Sequence, residues 1–197
     1  MKIDSLDKLL LEELKDIFDA EKRTTRALPK MIKNASSGEL RAALDEHFEV
    51  TKGQVSRLEE VFDLLGVSAK ATPCAGMKGL IEECEEVMKA DIAEPLMDQA
   101  IICCVQRIEH YEIAAYGTAR AVAERLGNTQ VADLLEETLN EEKECDMRLT
   151  EVAEQLYEQF GEPVAMGAGA GSRGREVTRA VSGQGKKGRG KTRTSRA

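Results

Sequence analysis

Apolar residues recur every three or four positions along most of this chain, and the recurrence breaks at a few small or turn-forming residues. Leu6, Leu10, Ile17, Leu28 and Ile32 make one stripe at helical spacing, predicting a helix from about Ser5 to Lys33. The polar stretch 34–38 interrupts it, with Ser36 or Ser37 placed to cap the next helix. That helix carries Leu40, Leu44, His47, Thr51, Val55, Leu58 and Phe62 on one face and stops at Gly66. A shorter helix, roughly Cys74 to Lys89, follows Thr72-Pro73. A third long helix starts near Pro95, a favoured first-turn residue, and ends at Leu126-Gly127. Asn128 is placed to cap a fourth, which runs to about Phe160.

Two long helical hairpins joined by a long crossover imply an all-α, ferritin-like four-helix bundle, with the short extra helix inside the crossover. The crossover is long enough to span the bundle, so its second and third long helices need not be adjacent. Composition agrees: there is no tryptophan and only 4% aromatic residues, while Ala, Leu, Glu and Lys abound. No apolar run approaches the ~20 residues needed to cross a bilayer, so no membrane association is expected. The first residues carry acids throughout and show no signal-peptide pattern, so a cytoplasmic protein is expected. Five cysteines, odd in number and without CxxC spacing, fit reduced thiols and lack the spacing of a structural zinc site.

The stripes contain residues that do not belong in an apolar core. Glu21 lies within the first. Glu109 and Glu112 share a face with Ile102, Val105, Tyr116, Ala119 and Ala123. Glu142 lies among Val131, Leu135, Thr138, Leu149, Val152 and Leu156, with Asp146 one turn on. A buried carboxylate is costly unless it is paired, protonated or bound to a cation. In an antiparallel hairpin, residues equidistant from the turn lie level. With a turn near position 127, Glu112 and Glu142 are each about 15 residues away, and Glu109 and Asp146 are level about one turn lower. In the other hairpin Glu21 is level with about residue 48. There His47 and Thr51 bracket that height on the apolar face, with Gln54 one turn further. His47 is thus a candidate nitrogen ligand, preferred to Glu49, which points away from the stripe; it also fits a core histidine with satisfied hydrogen bonds.

Charge divides the chain in two. Residues 164–197 hold nine Lys/Arg against one Glu, a balance of +8, which leaves −16 for residues 1–163 of a chain whose formal charge is −8. The boundary separates a helical bundle (1–163) from a basic tail (164–197) rich in glycine and poor in apolar clusters, expected to be disordered. Its cations, Arg173, Arg175, Arg179, Lys186, Lys187, Arg189, Lys191, Arg193 and Arg196, are spaced as in arms that contact phosphate backbones. Contact with the acidic body, or a role in solubility, would use the same charges.

The segments QRIEHYEIAAYGTA (106–119), ETLNEEKECDMRLTEVA (137–153), DAEK (19–22) and CAGMKGLIEECEEV (74–87) resemble the YciE/YciF family of bacterial stress proteins, in order over about residues 5–156. The resemblance implies a ferritin-like fold and a di-metal centre held by Glu21, Glu109, Glu112, Glu142 and Asp146. Family members read His-x-x-Glu-Thr on the second long helix; this chain reads His47-Phe48-Glu49-Val50-Thr51-Lys52, with Val50 at the usual glutamate. Lys52 could supply positive charge there instead. An oxygen-rich set with at most one imidazole suits two Fe or Mn ions. The implied reaction class is Fe(II) oxidation or peroxide reduction, with electrons from iron or a reductase. Tyr116 could bond the site or simply fill the core, and Cys145, between Glu142 and Asp146, is expected to pack, with a redox role as the alternative. Long helices with few aromatics favour a partner surface, so a homodimer is expected. A structural or DNA-associated stress protein, acting through the tail without turnover, is the competing reading.

Overall fold

The computed structural model describes residues 2–158; the basic tail and the boundary expected at 163 lie outside the described residues. Five helices follow in order: α1 (Leu6–Asn34), α2 (Gly38–Leu64), α3 (Ala75–Lys89), α4 (Glu94–Arg125) and α5 (Thr129–Tyr157). The fold is all-helical, with the short α3 in the crossover between two long hairpins.

The helix ends follow from local chemistry. The Ser5 hydroxyl accepts from the Lys8 N–H at the start of α1, and Ser37 does the same for Leu40 at the start of α2. Gly66 and Gly127 take φ values of +68° and +78°, the left-handed turn that closes α2 and α4. Beyond them, the Val67 N–H bonds to the Phe62 carbonyl and the Asn128 N–H to that of Ala123, which satisfies carbonyls the helix ends leave free. Asn128 does precede α5, but its side chain makes no capping bond. Its backbone is already committed to closing α4.

Packing places α1 against α2 and α4, and α5 against α4 and α2, so α2 and α4 face each other across the bundle diagonal, as the long crossover allows. Ser36 meets Asp98 at one end of α1 and α4, while Leu10 and Leu14 share a cluster with Ala119 and Ala123 at the other, so these helices run antiparallel. The turn between α1 and α2 is tied down by Asp98, which is buried. Its carboxylate accepts from the Ser36 N–H (2.7 Å), the Ser36 hydroxyl (2.7 Å) and the Ser37 N–H (2.8 Å).

The core is divided. One apolar cluster, built on Leu28, Met31, Leu44, Ile102, Val105 and Leu149, fills one end of the bundle. Another, with Leu14, Phe18, Phe62, Ala119, Val131 and Leu135, fills the other. Of the expected stripe residues, Leu6 is exposed and Val55 and Ile32 are half-buried; the rest of the α1 and α2 stripes is buried. Between the two clusters lies a polar layer. No helix among the described residues is long and apolar enough to cross a membrane.

Candidate metal centre

Glu21, Glu109, Glu112 and Glu142 form that layer, and none has more than 1% of its surface exposed. They come from three helices whose heptad-like stripes point them inward at one height. One oxygen from each of Glu109, Glu112 and Glu142 lies within 4.8 Å of the others. Glu21 faces them from α1. Its Oε1 accepts from the Tyr116 hydroxyl at 2.6 Å. Tyr116 therefore does both things its sequence position allowed: it fills the core and bonds the site.

His47 is buried on α2, and its Nε2 stands 3.0 Å from Oε1 of Glu109. The ring N–H is not directed at that oxygen, and neither oxygen of Glu109 has a hydrogen-bond partner. Oε2 of Glu21 and Oε2 of Glu142 are equally bare. Buried polar atoms are almost always partnered, so four bare carboxylate oxygens around one small volume require a reason.

Like charges at this separation in a dry interior cannot all ionise without a cation. Burial, and then the charge of Glu142, push the Glu21 carboxyl up to about 8. Burial likewise raises Glu109 to about 7, with Glu21 adding repulsion. Glu112 and Glu142 are driven well above the usual carboxylate range, again by burial first and then by their acidic neighbours. Without a cation the layer holds protons. With one, those protons leave and the bare oxygens gain a ligand. The donor set, carboxylates with one imidazole, fits Fe or Mn.

Several neutral groups orient the acids. The Thr24 hydroxyl lies 3.1 Å from Oε1 of Glu112, and the Gln54 amide donates to Oε1 of Glu142 and, at 3.1 Å, to Glu141. Thr24 escaped the sequence reading, although its place one turn after Glu21 on the same face was a usable signal. Arg57 grips Glu141 with two bonds (2.7 and 2.8 Å) and donates to Thr138 and Glu137, fixing α2 against α5 beside Gln54.

Asp146 and Lys52 are less buried than the four layer acids. Asp146 is level with the site but half-buried at its rim, where it accepts from Gln106 at 3.1 Å and lies 3.4 Å from Nε2 of His110. At i+4 from Glu142 it is rotated about 40° around α5, where Gln106 and His110 of α4 meet it. Lys52 does not bring charge to the site: it pairs with exposed Glu49 and lies over the Phe48 ring. Tyr111 turns outward to Asp16 (2.7 Å) and to the Cys74 sulfur (3.0 Å). All five cysteines are free.

The family described as "Domain of unknown function (DUF892)" matches residues 5–162. Protein YciF of Escherichia coli (strain K12) is 40% identical over 154 residues, which cover 78% of this chain and 93% of that protein. The crystal structure of that stress protein matches with a TM-score of 0.77 at 38% identity, over 80% of this chain and 99% of the other. The protein YcfI of Rhodopseudomonas palustris matches with a TM-score of 0.74 at 40% identity, over 76% and 95%. A Xanthomonas campestris protein, 23% identical with a TM-score of 0.63 over 79% and 96%, shares the fold. The likeness read from the EHYEIAAYGT segment thus extends along nearly the whole bundle, and the chain belongs to the DUF892 family, with YciF among its relatives.

Proposed function

We propose that the bundle holds a pair of Fe or Mn ions and that the protein handles iron or reduces peroxide under stress. The observation that carries this reading is the set of bare oxygens on Glu21, Glu109 and Glu142, packed at one height with Glu112 and His47. The stress context comes from the E. coli relative. Bound ions of this kind supply one-electron chemistry toward oxygen or peroxide. The chain's own part is to hold the ligands still in a water-poor layer: Tyr116 fixes Glu21, Thr24 fixes Glu112, and Gln54 fixes Glu142. Asp146 would act from the rim, through His110 and Gln106, as an outer carboxylate.

The test is metal content per chain after anaerobic Fe(II) or Mn(II) loading, beside Glu112→Ala and Glu142→Ala. Two ions in the parent and fewer in the variants support the reading and justify assays of peroxide consumption. No metal above background in any of them rules it out.

A second reading rests on charge alone. The nine cations of residues 164–197 suit a sequence-independent contact with nucleic acid. Full-length protein should then bind duplex DNA with an affinity that falls steeply with salt, and protein ending at residue 163 should not.

A further inference from the structure

A pocket of about 250 Å³ opens between α2 and α5, and two of its lining residues, His47 and Cys145, have donor atoms close to Glu109 of the acid layer. Val50 and Leu149 line it with them, and Glu46, Glu144 and Arg148 line it where it is exposed. Donor atoms of His47, Cys145 and Glu109 lie within 4.8 Å of one another. Both oxygens of Glu109 are buried and accept from no N–H or hydroxyl, and the carboxylates of Glu46, Glu141 and Glu144 outweigh the Arg148 guanidinium around the pocket, a balance that favours entry of a cation.

We propose that His47, Cys145 and Glu109 form a mixed nitrogen, sulfur and oxygen site for a thiophilic divalent cation, Zn(II) in the first place, with its fourth position open to the pocket. Donors around tetrahedral zinc are about 3.3–3.8 Å apart, given bonds of about 2.0–2.3 Å, so small side-chain shifts close the set. A thiolate turns the preference of this position away from Fe and Mn. The three residues come from three helices. The absence of CxxC spacing, which argues against zinc held by cysteines alone, has no bearing on such a set. Val50 makes its part of the α2 lining apolar, so the α2 carboxylate of the pocket is exposed Glu46, one residue from His47. The inference rests on the metal-binding reading above, because Glu109 and His47 serve both, and it makes the centre a mixed-metal one.

Co(II), a spectroscopic substitute for zinc, provides the test on full-length reduced protein. The parent should show a near-ultraviolet sulfur-to-cobalt charge-transfer band that Zn(II) abolishes. Cys145→Ser should lose the band and still take up Mn(II), whereas Glu112→Gln should keep it. As a measurement independent of any variant, Zn(II) should slow alkylation of Cys145 at least tenfold and leave exposed Cys103 unchanged, while Mn(II) should protect neither. Co(II) binding without a sulfur band, a band that survives Cys145→Ser, or unprotected Cys145 would overturn the site and leave the carboxylate centre standing. Failure of the underlying reading has a different signature, since neither Co(II) nor Mn(II) would bind.

Discussion

The hydroxyl of Tyr116 donates to Oε1 of Glu21 across the interface of α1 and α4, and Glu21's other oxygen is bare. This one bond holds a fully buried carboxylate in place and favours its ionised form, against the burial that opposes it. Tyr116→Phe keeps the packing and deletes the bond. The metal-free variant should lose about 1–3 kcal/mol of stability, measured by urea unfolding, since a buried acceptor loses its partner. Glu21 should then hold its proton more tightly, so Mn(II) affinity should fall as well. Unchanged stability and affinity would show that the bond is incidental.

Stability of the metal-free protein should fall as pH rises. Glu21 and Glu109 titrate near about 8 and 7 in the fold but near about 4.3 when unfolded, so the folded state retains protons that the unfolded chain has released. Their contribution is complete below about pH 4.3 and is lost progressively up to about pH 8, by about 1.4 kcal/mol per pH unit for each proton retained. Saturating Mn(II) should flatten this slope, because the cation replaces the protons. Denaturant midpoints from pH 5 to 8, with and without metal, measure it. A metal-free protein that grows more stable over that range contradicts the account.

Asp98→Ala should destabilise the bundle by about 2–3 kcal/mol, with an unchanged denaturant slope. It strips the α1–α2 turn of three hydrogen bonds to a buried charge and leaves the Ser36 and Ser37 N–H groups without their acceptor. Asp98→Asn should recover part of the loss, since one amide oxygen can still accept.

The bundle was readable because its period-3.6 stripes are long and its punctuation is strong: Ser5, Ser37, Gly66 and Gly127 each end or begin a helix for a local reason. The acids on these stripes were legible for the same reason, since a Glu at a core position of a long stripe has nowhere else to go. Equal distance from the turn places Glu112 opposite Glu142, whereas the surroundings of Asp146 depend on which α4 side chains meet it, here Gln106 and His110. Neutral partners were harder to see. Thr24 on the face of Glu21 and Gln54 one turn beyond Thr51 have legible positions, but their partners, Glu112 and Glu142, come from other helices. The closeness of Cys145 to His47 depends on α2 and α5 packing side by side, a relation between two distant segments that no local pattern encodes.

Val50 offers the last test, because it lines the same pocket as His47 and Cys145. Val50→Glu would add a hard oxygen donor at the His47 end of the layer. Mn(II) should bind roughly tenfold tighter, in keeping with the dependence of such sites on ligand charge. The sulfur-to-cobalt band should weaken as the new carboxylate competes with the thiolate. Without metal the same change adds an acid to a pocket already lined by Glu46, Glu141 and Glu144, so stability should drop and the fall with rising pH should steepen. Isothermal titration with Mn(II) and unfolding at pH 5 and 8 read both effects. An equal Mn(II) affinity in parent and variant would place residue 50 outside the centre and leave its wall as packing alone.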